Sequence, residues 1–225
     1  MTEADAHEQI YRLSTESLAA GDPTGWYERL YAVLDEHGTA VPWDRAAPHP
    51  LLVDWAQARA LDGVGRRALV VGCGLGADAE YVAGLGFDTV AFDVSPTAVR
   101  AVRRRFPHSS VRYRTADLLD PPSGWRRAFD LVVEIHTIQS LPDPVHRPAI
   151  GQLAGLVGGT LFVVAKAREE RDGQLKGPPW PLTRTEIESF ATGGLQPVRV
   201  EAFPATDRPG VGRWRAEFRR PDRDR

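Results

Sequence analysis

The 225-residue chain carries 28 Lys+Arg against 30 Asp+Glu, a formal net charge of -2, with 42% hydrophobic and 26% charged residues. These values suit one ordinary globular domain with short extensions and exclude collagen-like, disordered and disulfide-dense classes. The single cysteine, Cys73, admits no intramolecular disulfide and no thiolate zinc site, and the near-balanced charge gives no reason to expect nucleic acid as a partner.

The opening MTEADAHEQI is acidic and lacks the basic and apolar regions of a signal peptide. No apolar run approaches the ~18 residues of a membrane span, so a cytoplasmic protein that avoids membranes is expected. Residues 1–62 read as a helical, aromatic-rich preamble. Ile10, Leu13, Ser17 and Leu18 sit at helical spacing, and Gly21-Asp22-Pro23-Thr24-Gly25 stops that helix. Trp26, Tyr27, Leu30, Tyr31 and Leu34 form a second apolar face. A proline-rich connector, Val41-Pro42-Trp43-Asp44, precedes a short helix from Leu51 to Ala60.

From about Gly65 strands and helices alternate. Strands are predicted at Ala68–Val71, Thr89–Phe92, Val111–Arg114, Phe129–Val133 and Thr160–Val164, with helices from Ala77 to Leu85, from Pro96 to Arg105 and from Pro148 to Val157. Ser95-Pro96 supplies a cap with proline at the first helical position. Apolar strands separated by helices imply a parallel sheet covered on both faces. After Lys166 the style changes. Thr183-Arg184-Thr185-Glu186 is a capping box, and Pro197–Phe203 and Val211–Phe218 form a terminal antiparallel hairpin. The expected organisation is a helical cap over 1–62, an α/β domain over 63–220 and a charged tail over 221–225.

The chemistry concentrates at three strand ends. The loop after the first strand, Gly72-Cys73-Gly74-Leu75-Gly76, lets backbone approach a ligand in front of a helix N-terminus. Gly72-x-Gly74-x-Gly76 fits a nucleoside site, while Gly72-x-Gly74-x-x-Ala77 also fits the relaxed dinucleotide fingerprint. Asp93, ending the second strand, suits two ribose hydroxyls in either case. Asp117, after the third strand, suits an adenine amine, and Leu118 suits packing on the ring. Three such points in this order favour S-adenosylmethionine over a nicotinamide dinucleotide, as does the lack of a second large domain after the sheet.

The stretches Leu69-Val70-Val71-Gly72-Cys73-Gly74-Leu75-Gly76-Ala77-Asp78-Ala79-Glu80 and Ala91-Phe92-Asp93-Val94-Ser95-Pro96 closely resemble class I S-adenosylmethionine-dependent methyltransferases. Val41-Pro42-Trp43-Asp44 and Gly177-Pro178-Pro179-Trp180 are similar to flanking segments of the thiopurine and thiol methyltransferase branch. The resemblance implies a Rossmann-like seven-stranded sheet with its last strand inserted antiparallel. It implies Gly72, Gly74 and Gly76 at the methionine part of the cofactor, Asp93 at the ribose, Asp117 at the adenine and Trp43 closing over it. Many relatives carry an acid two positions before the first loop glycine; this chain has Val70 there, and Asp78 or the Gly72 carbonyl would stand in.

On the acceptor side the fourth strand delivers Glu134-Ile135-His136-Thr137-Ile138-Gln139. His136 is the base candidate because an imidazole titrates near neutrality; the plain alternative is a hydrogen-bonded structural histidine. Glu134 is read as a base or a contact to the cofactor's amino group, and Gln139 as an orienting residue. Trp180, Trp26, Tyr27 and Tyr11 are expected to line an apolar acceptor pocket, with core packing as the alternative. Arg100, Arg103, Arg104 and Arg105 read as a solvated helix face, Cys73 as a packing residue, and no metal site stands out. The expected function is methyl transfer to a small aromatic or thiol compound, with sulfur favoured over oxygen or nitrogen. The competing readings are a nicotinamide-dependent reductase and a non-catalytic nucleoside-binding protein.

Overall fold

The computed structural model describes residues 3–36, 41, 43–170, 177–204 and 212–221. Pro42 of the aromatic connector, the middle of the charged loop before Gly177, the hairpin turn and the end of the tail lie outside the described residues. The helices are α1 (Glu3–Ala19), α2 (Gly25–Glu36), α3 (Pro50–Ala58), α4 (Ala77–Gly84), α5 (Pro96–Arg105), α6 (Asp143–Leu156) and α7 (Arg184–Glu188). The strands are β1 (Arg67–Val71), β2 (Asp88–Asp93), β3 (Arg112–Thr115), β4 (Phe129–Ile135), β5 (Val157–Lys166), β6 (Gln196–Phe203) and β7 (Arg213–Arg219).

The seven strands form one sheet in the order β3-β2-β1-β4-β5-β7-β6. β1 to β5 run parallel, and β7 is inserted antiparallel between β5 and β6. This is the Rossmann-like sheet with a C-terminal antiparallel hairpin that the sequence implies. The two-residue period of β1 divides its side chains between two cores. Leu69 and Val71 join Val132, Leu161 and Val163 under α6 and α7, while Ala68 and Val70 join Val133, Phe162 and Val164 under α3, α4 and α5. Burying each Leu or Phe contributes on the order of 2 kcal/mol, so the double covering anchors the strand ends on which the site is built. β3 departs from the expected fully apolar strand. It is a sheet edge, only Tyr113 of its four residues is buried, and its Arg112 pairs with Asp88 on β2.

The preamble divides in two. α3 belongs to the sheet: Leu52 and Trp55 join the second core, and the Trp55 indole donates to the buried Glu217 of β7 at 2.9 Å. α1 and α2 form a separate cluster around Ile10, Leu13, Trp26, Leu30 and Tyr31, which meets the sheet layer at Ala98 of α5. Glu28 of α2 fixes this cap. Its carboxylate accepts from the Ser95 hydroxyl at 2.5 Å and from the Thr97 N–H at 3.0 Å, adding a negative charge to the N-terminus of α5 that Ser95 already caps. The arginines of α5 are exposed, as expected of a solvated face, and two of them also reach toward the cap. Arg104 pairs with Asp35 of α2 and Arg105 pairs with Asp44 beyond it.

Candidate active site

The C-terminal ends of the parallel strands face the cap, and between them lies a cavity of about 610 Å³, within the usual range for small-molecule sites. Strand order reverses between β2 and β4 on either side of β1, which is where open α/β sheets bind ligands. The glycine loop forms the floor. Gly72, Gly74 and Gly76 all have positive φ, of 59°, 50° and 91°. At Gly76 a Cβ would also meet Val102 at 2.5 Å and the Tyr113 hydroxyl at 2.7 Å, so both conformation and space require glycine. No side chain caps α4 behind this loop, so its first N–H groups lack a side-chain acceptor.

Asp93 closes the loop from β2. One carboxylate oxygen accepts from Gly74 N–H at 2.9 Å and the other from Ser95 N–H at 3.0 Å. Each oxygen retains acceptor capacity for a ligand hydroxyl. Burial raises the Asp93 pKa against the pull of these backbone bonds, with Glu28 adding to the rise. Asp117 and Leu118 line the cavity after β3. Asp117 accepts from Leu119 N–H at 2.8 Å and Leu118 is buried beside Phe92 in the first core. Asp78, in the first turn of α4, lines the cavity, and Arg45 at 2.9 Å and the His49 N–H at 2.6 Å already hold its two oxygens.

The cap supplies an aromatic wall of Tyr11, Trp26, Tyr27, Tyr31 and Trp43. Trp26 stacks on Tyr27 at 3.8 Å, and Trp43 meets Trp26 and Tyr31 edge-on at 6.4 and 6.1 Å. The Trp43 indole donates to the Tyr31 hydroxyl at 3.0 Å, and the Tyr27 hydroxyl donates to the Ser140 carbonyl at 2.7 Å. Ion pairs follow Trp43 directly, Asp44 with Arg105 and Arg45 with Asp78. Trp26 is 1% exposed, and its indole nitrogen has no hydrogen-bond partner among the described residues. Trp180 stands apart from this wall: its buried ring covers Gly177, and Pro178 and Pro179 reach the cavity in its place.

The end of β4 separates residues that the sequence places side by side. Glu134 is fully buried and does not line the cavity. One oxygen accepts from Thr137 N–H at 2.6 Å and Ile138 N–H at 2.9 Å, holding the short 3-10 turn Ile138–Ser140; the other has no partner among the described residues. Burial pushes its pKa up to about 7, against those two bonds and the charge of His146. His136 does line the cavity, at a left-handed φ of 64°. Its backbone N–H donates to Val164 at 2.9 Å, and its Nε2 is buried without a partner among the described residues. Burial, with His49, Arg45, Arg213 and Lys166 nearby, pushes the His136 pKa well below the usual imidazole value. The ring is therefore neutral throughout the physiological range, rather than titrating near neutrality. His49 meets it edge-on at 5.3 Å and is itself pushed down to about 3 by burial and by Arg45 and Arg213. Gln139 lines the cavity while its side chain accepts from Lys166 N–H and its carbonyl accepts from Trp180 N–H at 2.6 Å.

Sequence reasoning missed Tyr31, Arg45, Thr137, Lys166 and Arg213, all of which line the cavity. Tyr31 was visible as part of the apolar face of α2. Lys166 and Arg213 come from distant strands and carry no local signal. Among the described residues, one trio has metal-ligand atoms within 4.8 Å of one another, Asp143, His146 and Glu186. It lies outside the cavity, and Glu186 is already engaged by the Thr183 capping box and Arg168.

A methyltransferase-domain family model matches residues 68–158, which include the glycine loop, Asp93, Asp117 and the end of β4. The chain is 28% identical to a probable thiol methyltransferase of Arabidopsis thaliana over 92% of this chain and 89% of that protein. It is 34% identical to a ubiquinone biosynthesis O-methyltransferase of Xanthomonas oryzae over 54% of each chain. In fold it is similar to the N-methyltransferase NodS of Bradyrhizobium japonicum in complex with S-adenosylhomocysteine, with a TM-score of 0.63 and 22% identity over 85% of this chain and 98% of that one. Among the described residues no helix is long and apolar enough to cross a membrane. With its glycine loop, strand-end acids and inserted antiparallel strand, the chain carries a methyltransferase domain over residues 68–158 and is similar to S-adenosylmethionine-dependent methyltransferases.

Proposed function

We propose that the acceptor is a small aromatic thiol, methylated on sulfur. The observation that carries this reading is the neutral, weakly basic His136 at the cavity wall. An imidazole with so low a proton affinity is a poor general base for an aliphatic hydroxyl. A thiol, with a reference pKa of about 8.5, ionises without one. Arg45, Lys166 and Arg213 line the same cavity, and nearby positive charge favours a thiolate further. The similarity to a plant protein named as a probable thiol methyltransferase points the same way.

S-adenosylmethionine, when bound, supplies a methyl group already activated on a sulfonium. The chain's part is to hold, align and exclude water. We assign Gly72, Gly74 and Gly76 to the methionine part, Asp93 to the ribose, Asp117 to the adenine amine and Leu118 to the ring face. Arg45, which holds Asp78 beside the loop, is assigned to the methionine carboxylate. Trp43 closes over the cofactor, and Tyr11, Trp26, Tyr27 and Gln139 shape the acceptor side. His136 is assigned to orient the sulfur, its neutral Nε2–H tautomer donating to the thiolate, and residues 1–62 act as an acceptor-side cap on the catalytic domain at 63–220. The test is methyl transfer from S-adenosylmethionine to thiophenol and to phenol, beside calorimetric binding of S-adenosylhomocysteine. Turnover of thiophenol alone is expected. Turnover of phenol at an equal rate would remove the preference for sulfur, and absent cofactor binding would remove the whole assignment.

A further inference from the structure

Charge is distributed unevenly along the strand ends. The carboxylates assigned to the cofactor, Asp93 and Asp117, follow β2 and β3, on one side of β1. On the other side Lys166 ends β5 and Arg213 opens β7; both line the cavity, and they are directly paired in register. Residues paired in this way project from the same face of a sheet. For Lys166 that is the face of Phe162 and Val164, which belong to the second core along with Ile135, the residue before His136. Both cations also act on the His136 ring, whose proton affinity they lower, so they lie within electrostatic reach of it. Both side chains line the cavity, so an anion lying between the ends of β5 and β7 would meet two positive charges.

From this polarity we infer that the acceptor is an anionic aryl thiol whose carboxylate is held by Lys166 and Arg213. The inference rests on the thiol reading above and deepens it. Neighbouring strands lie about 4.8 Å apart, so β5 and β7 stand one and two strand spacings, about 5–10 Å, from β4. One aromatic ring spans that gap. The ring would rest on the wall of Trp26 and Tyr27, its sulfur beside His136 and its carboxylate across the sheet edge. Arginine and lysine hydrogen bonds to a carboxylate are charge-assisted and stronger than neutral ones.

The test uses two acceptors of nearly equal shape, meta-mercaptobenzoate and meta-mercaptobenzamide, on the full chain. Affinities are measured by titration with and without saturating S-adenosylhomocysteine, and kcat/KM with S-adenosylmethionine. The acid is expected to bind at least about tenfold more tightly than the amide, the scale of one charge-assisted hydrogen bond. Lys166→Met and Arg213→Met are each expected to remove most of that preference, while retained binding of S-adenosylhomocysteine reports an intact fold. Equal affinity of the wild-type chain for acid and amide overturns the inference, whether or not the variants fold. A preference that survives both substitutions also overturns it. If the acid binds preferentially but neither compound is methylated, the anion site stands and the thiol reading fails. If both are methylated equally well, the thiol reading stands and the anion site fails.

Discussion

Replacing Glu134 with Gln separates its role in the fold from a role in catalysis. Glu134 is fully buried and one oxygen holds the N–H groups of Thr137 and Ile138. A glutamine carbonyl can accept both bonds without the charge. Burial pushes the folded-state pKa up to about 7 from the ordinary carboxylate value of 4.5, so the unfolded chain releases this proton first as pH rises. Stability from this group is therefore highest below pH 4.5, falls as pH rises toward 7 and is level above that. Integrating the linkage between pH 5 and pH 8 gives a loss of about 2.5 kcal/mol in the wild type and none from this site in the variant. His49 and His136, both held neutral by burial, push the opposite way at the acid end, because the unfolded chain protonates them below about pH 6.5. Only the difference between wild type and variant isolates Glu134. Urea unfolding of both proteins at the two pH values supplies it, with methyl transfer measured alongside. Parallel pH dependence in the two proteins refutes the argument, as does a loss of turnover beyond about 100-fold, the scale expected for removal of a general base.

Three further outcomes are expected. Asp93→Asn places an amide where Gly74 and Ser95 N–H groups both need an acceptor, and calorimetry should show S-adenosylhomocysteine binding weakened at least about tenfold; unaltered affinity would move the ribose elsewhere. His136→Asn keeps a residue type that tolerates positive φ and should lower turnover while cofactor affinity stays within about twofold; a variant with full turnover would return His136 to a structural role. With aryl thiols of differing acidity, the rise of kcat/KM with pH should track the pKa of each thiol, because His136 is held neutral far below that range. An inflection that stays fixed as the acceptor changes would reinstate an enzyme base.

Local rules made most of the framework legible. Ser95-Pro96 and the Thr183 capping box mark real helix starts, and the glycine loop and the strand-end acids all come to line one cavity. The start of α6 was misplaced at Pro148, because proline also opens helices. The helix in fact begins at Asp143, with a proline in its first turn and Pro148 inside it. The acceptor half was legible only in part. Glu134 and His136 are separated by one residue, but the left-handed backbone at His136 turns it to the cavity while Glu134 stays within the fold. No residue type in that stretch announces such a conformation. Lys166 and Arg213 meet only because β7 inserts beside β5, a long-range pairing with no short-range signature. Trp180 was read as pocket because of its aromatic type, yet the adjoining glycine provides the surface its ring covers.

The 3-10 turn Ile138–Ser140 gathers hydrogen bonds from the cap, the proline loop and the ends of β4 and β5. Tyr27 of the cap donates to Ser140, Trp180 of the proline loop donates to Gln139, Lys166 of β5 donates to the Gln139 side chain, and Glu134 holds the turn's leading N–H groups. Cap, proline loop and the end of β5 are thus tied to one another through three consecutive residues, and a displacement of this turn would disturb all three cavity elements at once.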